Sequence, residues 1–138
     1  MIARSAIRQR ISAAIAAVDG FDPGRAAAVP FRDPQERRHG AFSVECEGSD
    51  PITRDQASQA LTTRSRISVS WKLRPKDQLG SYDDALDAQE QVCKAVQGME
   101  QTSIAFSLIR LGEPVVDPAG EYLRFDLAFE ASHISDVI

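Results

Sequence analysis

Two cysteines, two histidines and a scatter of carboxylates are the side chains with which metal-binding or bond-breaking chemistry would have to be done in this sequence. A structural zinc site needs closely spaced ligand pairs, and Cys46 and Cys93 lie far apart with no CxxC spacing and no histidine beside them. Both fall at positions expected to face inward, Cys46 on a strand and Cys93 on a helix, where an unpaired cysteine acts as a small hydrophobe. His39 and His133 stand singly among polar residues and are expected in solvent. Nucleophile elbows, glycine-rich phosphate loops, HExxH and EF-hand spacings are absent. Glu45 and Glu47 project from the polar side of a predicted strand, while Asp83, Asp84 and Asp87 cap and decorate a predicted helix, which accounts for them as solvated faces. The sequence therefore assigns no catalytic, cofactor-binding or metal-ligating residue, and a non-enzymatic role is the expectation.

Charged residues in loops offer a different chemistry. Arg37 and Arg38 join Arg32 in one stretch, and Arg54, Arg64 and Arg66 lie in and after the next. Asp33, Glu36, Asp50 and Asp55 nearly neutralise them, and Phe31 alone supplies a ring on which a nucleic-acid base could stack. Mixed-sign segments of this kind suit salt bridges between subunits or a solvated surface.

The elements that must position these groups are legible from periodicity. Ile7, Ile11, Ala14, Ile15 and Val18 repeat at helical spacing, so residues 2–19 are predicted to form an ordinary first helix, stopped by Gly20, rather than a cleaved leader. Residues 26–31 allow a short extended piece before a charged loop. Phe42, Val44 and Cys46 alternate with Ser43, Glu45 and Glu47 as a strand at 41–47. Residues 48–62 are polar and turn-rich and are predicted as a long loop. Ile67, Val69, Trp71 and Leu73 alternate as a second strand ending at Pro75.

Ser81 and Asp84 have the spacing of a capping box, predicting a helix that runs from Ser81 to Gly98. Residues 103–111 form a third strand. Residues 112–121, with two prolines and two glycines, read as the arm of a hairpin. Leu123, Phe125, Leu127 and Phe129 then alternate with Arg124, Asp126, Ala128 and Glu130 as a fourth strand whose register the apolar face fixes. The expected fold is α+β: a two-layer sandwich of a four-stranded, mainly antiparallel sheet with two helices packed on one face.

At 138 residues the chain is sized for a single domain spanning 1–138. No apolar run approaches the roughly 20 residues of a membrane-spanning helix. A net charge of −4 lacks the basic excess of a dedicated nucleic-acid binder.

The amphipathic first helix, the strand ending in acids, the long polar loop, the RSRISVSWKLRPKD passage, the capped helix SYDDALDAQEQVCKAVQG and the closing strands together resemble the tail terminator, or minor tail protein, family of long-tailed bacteriophages and gene-transfer particles. The resemblance covers nearly the whole chain through element order and length. It implies a virion protein of the tail and neck, assembled in the bacterial cytoplasm. Such a subunit closes into a homo-oligomeric ring of six copies, terminates the tail tube protein's polymer, and joins it to the head-tail connector protein. DNA would pass through the ring without specific binding. Under this reading Arg37, Arg38, Asp50, Arg54, Asp55, Arg64 and Arg66, with Val115 and Val116 on the 112–120 arm, are candidate subunit-interface residues. Another connector or head-completion protein of the neck is the nearest alternative, and a small α+β enzyme or ligand-binding domain is the alternative from a different class.

Overall fold

Two strands of 13 residues each pair without interruption, from Ala60 opposite Ile134 to Lys72 opposite Tyr122, and the remaining strands are added to this central ladder. The structure, a computed structural model, describes residues 3–21, 39–52, 60–99 and 104–134. In chain order the elements are α1 (Arg4–Ala16), β1 (Phe42–Pro51), β2 (Ala60–Lys72), α2 (Gln78–Gln97), β3 (Ala105–Leu111), β4 (Val115–Val116) and β5 (Tyr122–Ile134). The chain is thus α+β, with an open antiparallel sheet of order β1-β2-β5-β3. The expected four strands become five, because the arm at 112–121 contributes Val115 and Val116 as a two-residue strand opposite Arg124 and Leu123. β3 and β4 pair with successive parts of β5, so they act as one edge interrupted at Gly112–Pro114.

One face of the sheet is apolar for the reason the alternation predicts. Ile67 and Val69 of β2, Phe42 and Val44 of β1, and Phe125, Leu127 and Phe129 of β5 occupy cross-strand positions on one side. They share a single core with Ile7, Ile11 and Ile15 of α1 and Ala85, Val92 and Val96 of α2. Burying each large aliphatic or aromatic side chain contributes about 1.5–3 kcal/mol against the entropy of ordering it. The opposite face presents small residues, and Ser43, Ser68, Ser70 and Ala128 are buried there as well.

Several boundaries differ from the sequence reading, among them the end of α1, which stops at Ala16. The predicted loop at 48–62 is strand at both of its ends, with β1 continuing to Pro51 and β2 beginning at Ala60, and residues 53–59 lie outside the described residues. The two strand ends are joined by polar side chains that carry no apolar alternation, with the hydroxyls of Ser49 and Thr63 2.8 Å apart. α2 starts before Ser81, because Asp77 is the cap and accepts from the Gly80 amide at 3.0 Å. Ser81 is instead buried in the first turn, where its hydroxyl donates to the Asp77 carbonyl and accepts from the Arg74 amide. The predicted extended piece at 26–31 lies outside the described residues.

Candidate functional site

Of the residues expected to meet a neighbouring subunit, Arg37, Arg38, Arg54 and Asp55 lie outside the described residues. Of the others, Asp50 and Arg64 lie on the β1–β2 side of the sheet, Val115 and Val116 at its far border, and Arg66 between them. On the β1–β2 hairpin the Arg64 guanidinium donates to Asp50 at 2.5 Å, and this bond together with the Asp50 charge raises the arginine's pKa further. Val115 and Val116 stand at the far border, 64% and 51% exposed. Arg64 lies across from Glu130 and Val115 across from Arg124, about six residues along β5, or roughly 20 Å at about 3.3 Å per residue.

Arg66 lies between the borders, on the face away from the core. Its side chain and that of Arg110 approach the same carboxylate oxygen of Asp126, at 3.6 and 3.2 Å. Two guanidinium groups sharing one carboxylate leave a surplus positive charge on the β3 side. The β1 border instead carries acids: Glu45 lies across from Arg66, the Glu47 charge acts on Arg64, and Glu47 is the extra residue of a bulge between Cys46 and Gly48.

The β3–β4 border is also where the apolar surface gathers. Leu108, Ile109, Leu111, Val115 and Val116 are 36–64% exposed and account for five of the eight large hydrophobics exposed among the described residues. Single exposed apolar residues are ordinary, but several gathered along the free edge of a sheet mark a docking surface or an aggregation hazard. The backbone bulges at Ile109 and breaks at Gly112–Pro114, two devices that blunt an edge against indiscriminate pairing. The break is fixed from the helix layer: buried Gln89 of α2 donates to the Gly112 carbonyl, and the Tyr82 hydroxyl donates to Glu113 at 2.9 Å. That second bond raises the Tyr82 pKa above its ordinary value.

His133 departs from the expectation of a solvated ring, whereas His39 is exposed as expected. His133 is buried, and its Nε2 lies 2.6 Å from the Thr63 hydroxyl, so that Ser49, Thr63 and His133 link β1, β2 and β5. His39 packs its ring 4.1 Å from that of Trp71 and accepts the Lys72 amide at Nδ1. Partial burial, followed by the Lys72 charge, lowers its pKa, with Asp84 opposing the shift. Together with Arg74, Asp84 and Asp87, these groups line an open cleft of about 650 Å³. The cleft sets an imidazole beside carboxylates, and among the described residues that line it there is no serine, threonine or cysteine for an attack.

Cys46, expected to point inward, is exposed, because the strand runs past the cover of the core there; the Arg4 guanidinium donates to its sulfur at 3.2 Å. Cys93 does pack against the core, and burial, then Glu90, raises its thiol pKa. Both are free. Among the described residues no cluster of histidine, cysteine and carboxylate side chains could hold a metal ion, and no helix is long and apolar enough to cross a membrane. No protein-family model and no curated protein matches this chain. The geometry alone must carry the functional reading.

The sequence reading singled out Val115 and Val116 but missed Leu108, Ile109 and Leu111 beside them on the β3–β4 border. Ile109 and Leu111 seemed partly covered because β3 alternates apolar residues on both faces, and nothing local to the strand says that it lies at an edge. The available signal was the adjacent GEPVV, since proline and glycine next to a doubly apolar strand mark an edge rather than a centre.

Proposed function

We propose that this protein is a structural subunit that works by association with its own copies, as the tail terminator resemblance implies. Its two-layer α+β sandwich serves as a wedge in a head-to-tail ring of six, which caps a phage tail tube and meets the head-side connector. The observation that carries this reading is the row of exposed aliphatic side chains from Leu108 to Val116 along one border of the sheet. A heterologous contact between unlike surfaces closes into a ring when the rotation between copies permits. Six copies would carry roughly −24 charges, a sign suited to a passage through which DNA slides without adhering.

Mass photometry and negative-stain imaging of the purified chain, alone and with tail tube protein, test the proposal. A closed ring is expected under at least one condition, and particles made without the protein should have unsealed tails. A chain that stays monomeric in both conditions, or normal tails in its absence, would refute it.

A ligand-binding role is favoured by one observation, the His39–Trp71 cleft, which has room for a small polar molecule. A metabolite that raises the melting temperature of the wild type but not of a Trp71→Ala variant would support that second reading.

A further inference from the structure

Resting on the ring reading, we propose that the β3–β4 border of one copy receives the β1 border of a second copy. The sheet would then continue from subunit to subunit, with Arg110 facing Glu45 across each boundary.

Strand direction allows it. Among the described strands, β1 and β3 are the edges of an antiparallel sheet with order β1-β2-β5-β3, so they run in opposite directions. Copies related by rotation about an axis along the strands therefore place β1 beside β3 in the antiparallel sense. Face also allows it. Glu45 lies across from Arg66, and both Arg66 and Arg110 lie across from Ala128, so all of them occupy the face away from the core. Continuing the sheet keeps Glu45 and Arg110 on that same face.

Charge then selects this pairing over the symmetric alternatives. Joining β3 to β3 about a two-fold axis is also antiparallel, but it sets Arg110 against its own copy. Joining β1 to β1 likewise gathers Glu45 and Glu47 from both copies. Like charges directly opposed disfavour both arrangements, whereas the unlike borders attract. Each border carries one bulge, at Glu47 and at Ile109, so the backbone ladder is confined to the residues flanking the bulges. Most of the contact then comes from side chains, with Leu108, Ile109, Leu111, Val115 and Val116 covered by the incoming strand.

The test is a charge exchange on the full-length chain, read as association by mass photometry and analytical ultracentrifugation, with melting temperature as the control for folding. Arg110→Glu and Glu45→Arg should each weaken self-association by about tenfold or more, and the double exchange should restore it. Ile109→Asp, at an exposed bulge residue, should weaken association without lowering the melting temperature and replaces Arg110→Glu should that variant fail to fold. Leu79→Asp, at an exposed residue of α2 that belongs to neither edge strand, should have no effect.

A wild-type ring that survives all the single border variants would overturn this interface while leaving the ring reading intact. Folded single variants that dissociate and are not rescued by the double exchange would overturn the Arg110–Glu45 pairing. A border that is protected only when tail tube protein is added, with no self-association, would show that another protein occupies it. A wild type monomeric under every condition would overturn this proposal and the ring reading together.

Discussion

Gly40 and Gly120 form a matched pair from which the cost of a close backbone approach can be isolated. Both have left-handed backbones, with φ of +77° and +73°. They differ in what surrounds them. A Cβ on Gly40 would come within 1.9 Å of the Gly20 carbonyl oxygen and 3.1 Å of the Phe21 Cα, whereas one on Gly120 would meet nothing within 4 Å. Alanine at Gly120 bears only the conformational cost of about 1–2 kcal/mol. Alanine at Gly40 bears that same cost, and the chain must also move away from the Gly20 carbonyl. This motion disrupts the 2.9 Å bond from the Gly40 amide to the Ser70 carbonyl, at a buried position. Leaving such a group unsatisfied adds about 1–3 kcal/mol, so Gly40→Ala should destabilise by about 2–5 kcal/mol in total. Against a domain stability of about 5–15 kcal/mol, that is a large fraction. Urea unfolding followed by circular dichroism, with both variants measured beside the wild type, reads the difference directly. Equal midpoints for the two variants would refute the argument, because they would mean that the Gly20–Gly40 approach exerts no constraint.

Three further outcomes follow from buried or shielded polar groups. Asp117 is buried at the β4–β5 turn and accepts from the Glu121 and Tyr122 amides at 3.0 and 3.4 Å; Asp117→Ala should cost about 1–3 kcal/mol in urea unfolding, and an unchanged midpoint would count against a closing role for this carboxylate. The Ser70 hydroxyl is buried with no hydrogen-bond partner among the described residues, so Ser70→Ala should be neutral or stabilising by up to about 1 kcal/mol, and a melting temperature lower by several degrees would contradict it. His39 has a folded-state pKa below its ordinary 6.5, so the unfolded chain binds its proton first on acidification. Its contribution to stability is present above pH 6.5 and is lost as the pH falls through the lower folded value. Thermal melts between pH 7.5 and 5 should therefore show a steeper loss for the wild type than for His39→Gln, and parallel curves would remove His39 from the account.

The parts of the fold that were legible in the sequence are those held by apolar periodicity. α1 could be read from Ile7, Ile11 and Ile15, all of them fully buried, and β5 from Leu123 to Phe129. Elements held by polar groups were shortened or displaced. The ends of β1 and β2 depend on Ser49 and Thr63 meeting His133 from a distant strand, and such a partner leaves no mark on local spacing. Asp77 rather than Ser81 caps α2: β2 ends at Lys72, Asp77 turns back on the Gly80 amide, and the Ser81 hydroxyl is taken up by the Asp77 carbonyl and the Arg74 amide. Arg64 and Asp50 were recognised by charge and do pair, yet nothing in their spacing told that Val115 and Val116 would lie at the other border. Edge position is a property of the assembled sheet, and it decides what Ile109 and Leu111 face.

The latch on the β3–β4 border has a thermodynamic consequence. Gln89 holds the Gly112 carbonyl and Tyr82 holds Glu113, so the bend in this edge is set by α2 within the isolated chain. Whatever binds along it meets a preorganised outline and does not bear the conformational entropy of ordering a floppy arm, a loss that otherwise subtracts from affinity. Untying the Gln89 amide would change none of the exposed residues and should still weaken the proposed association along this edge, through disorder in the free state alone.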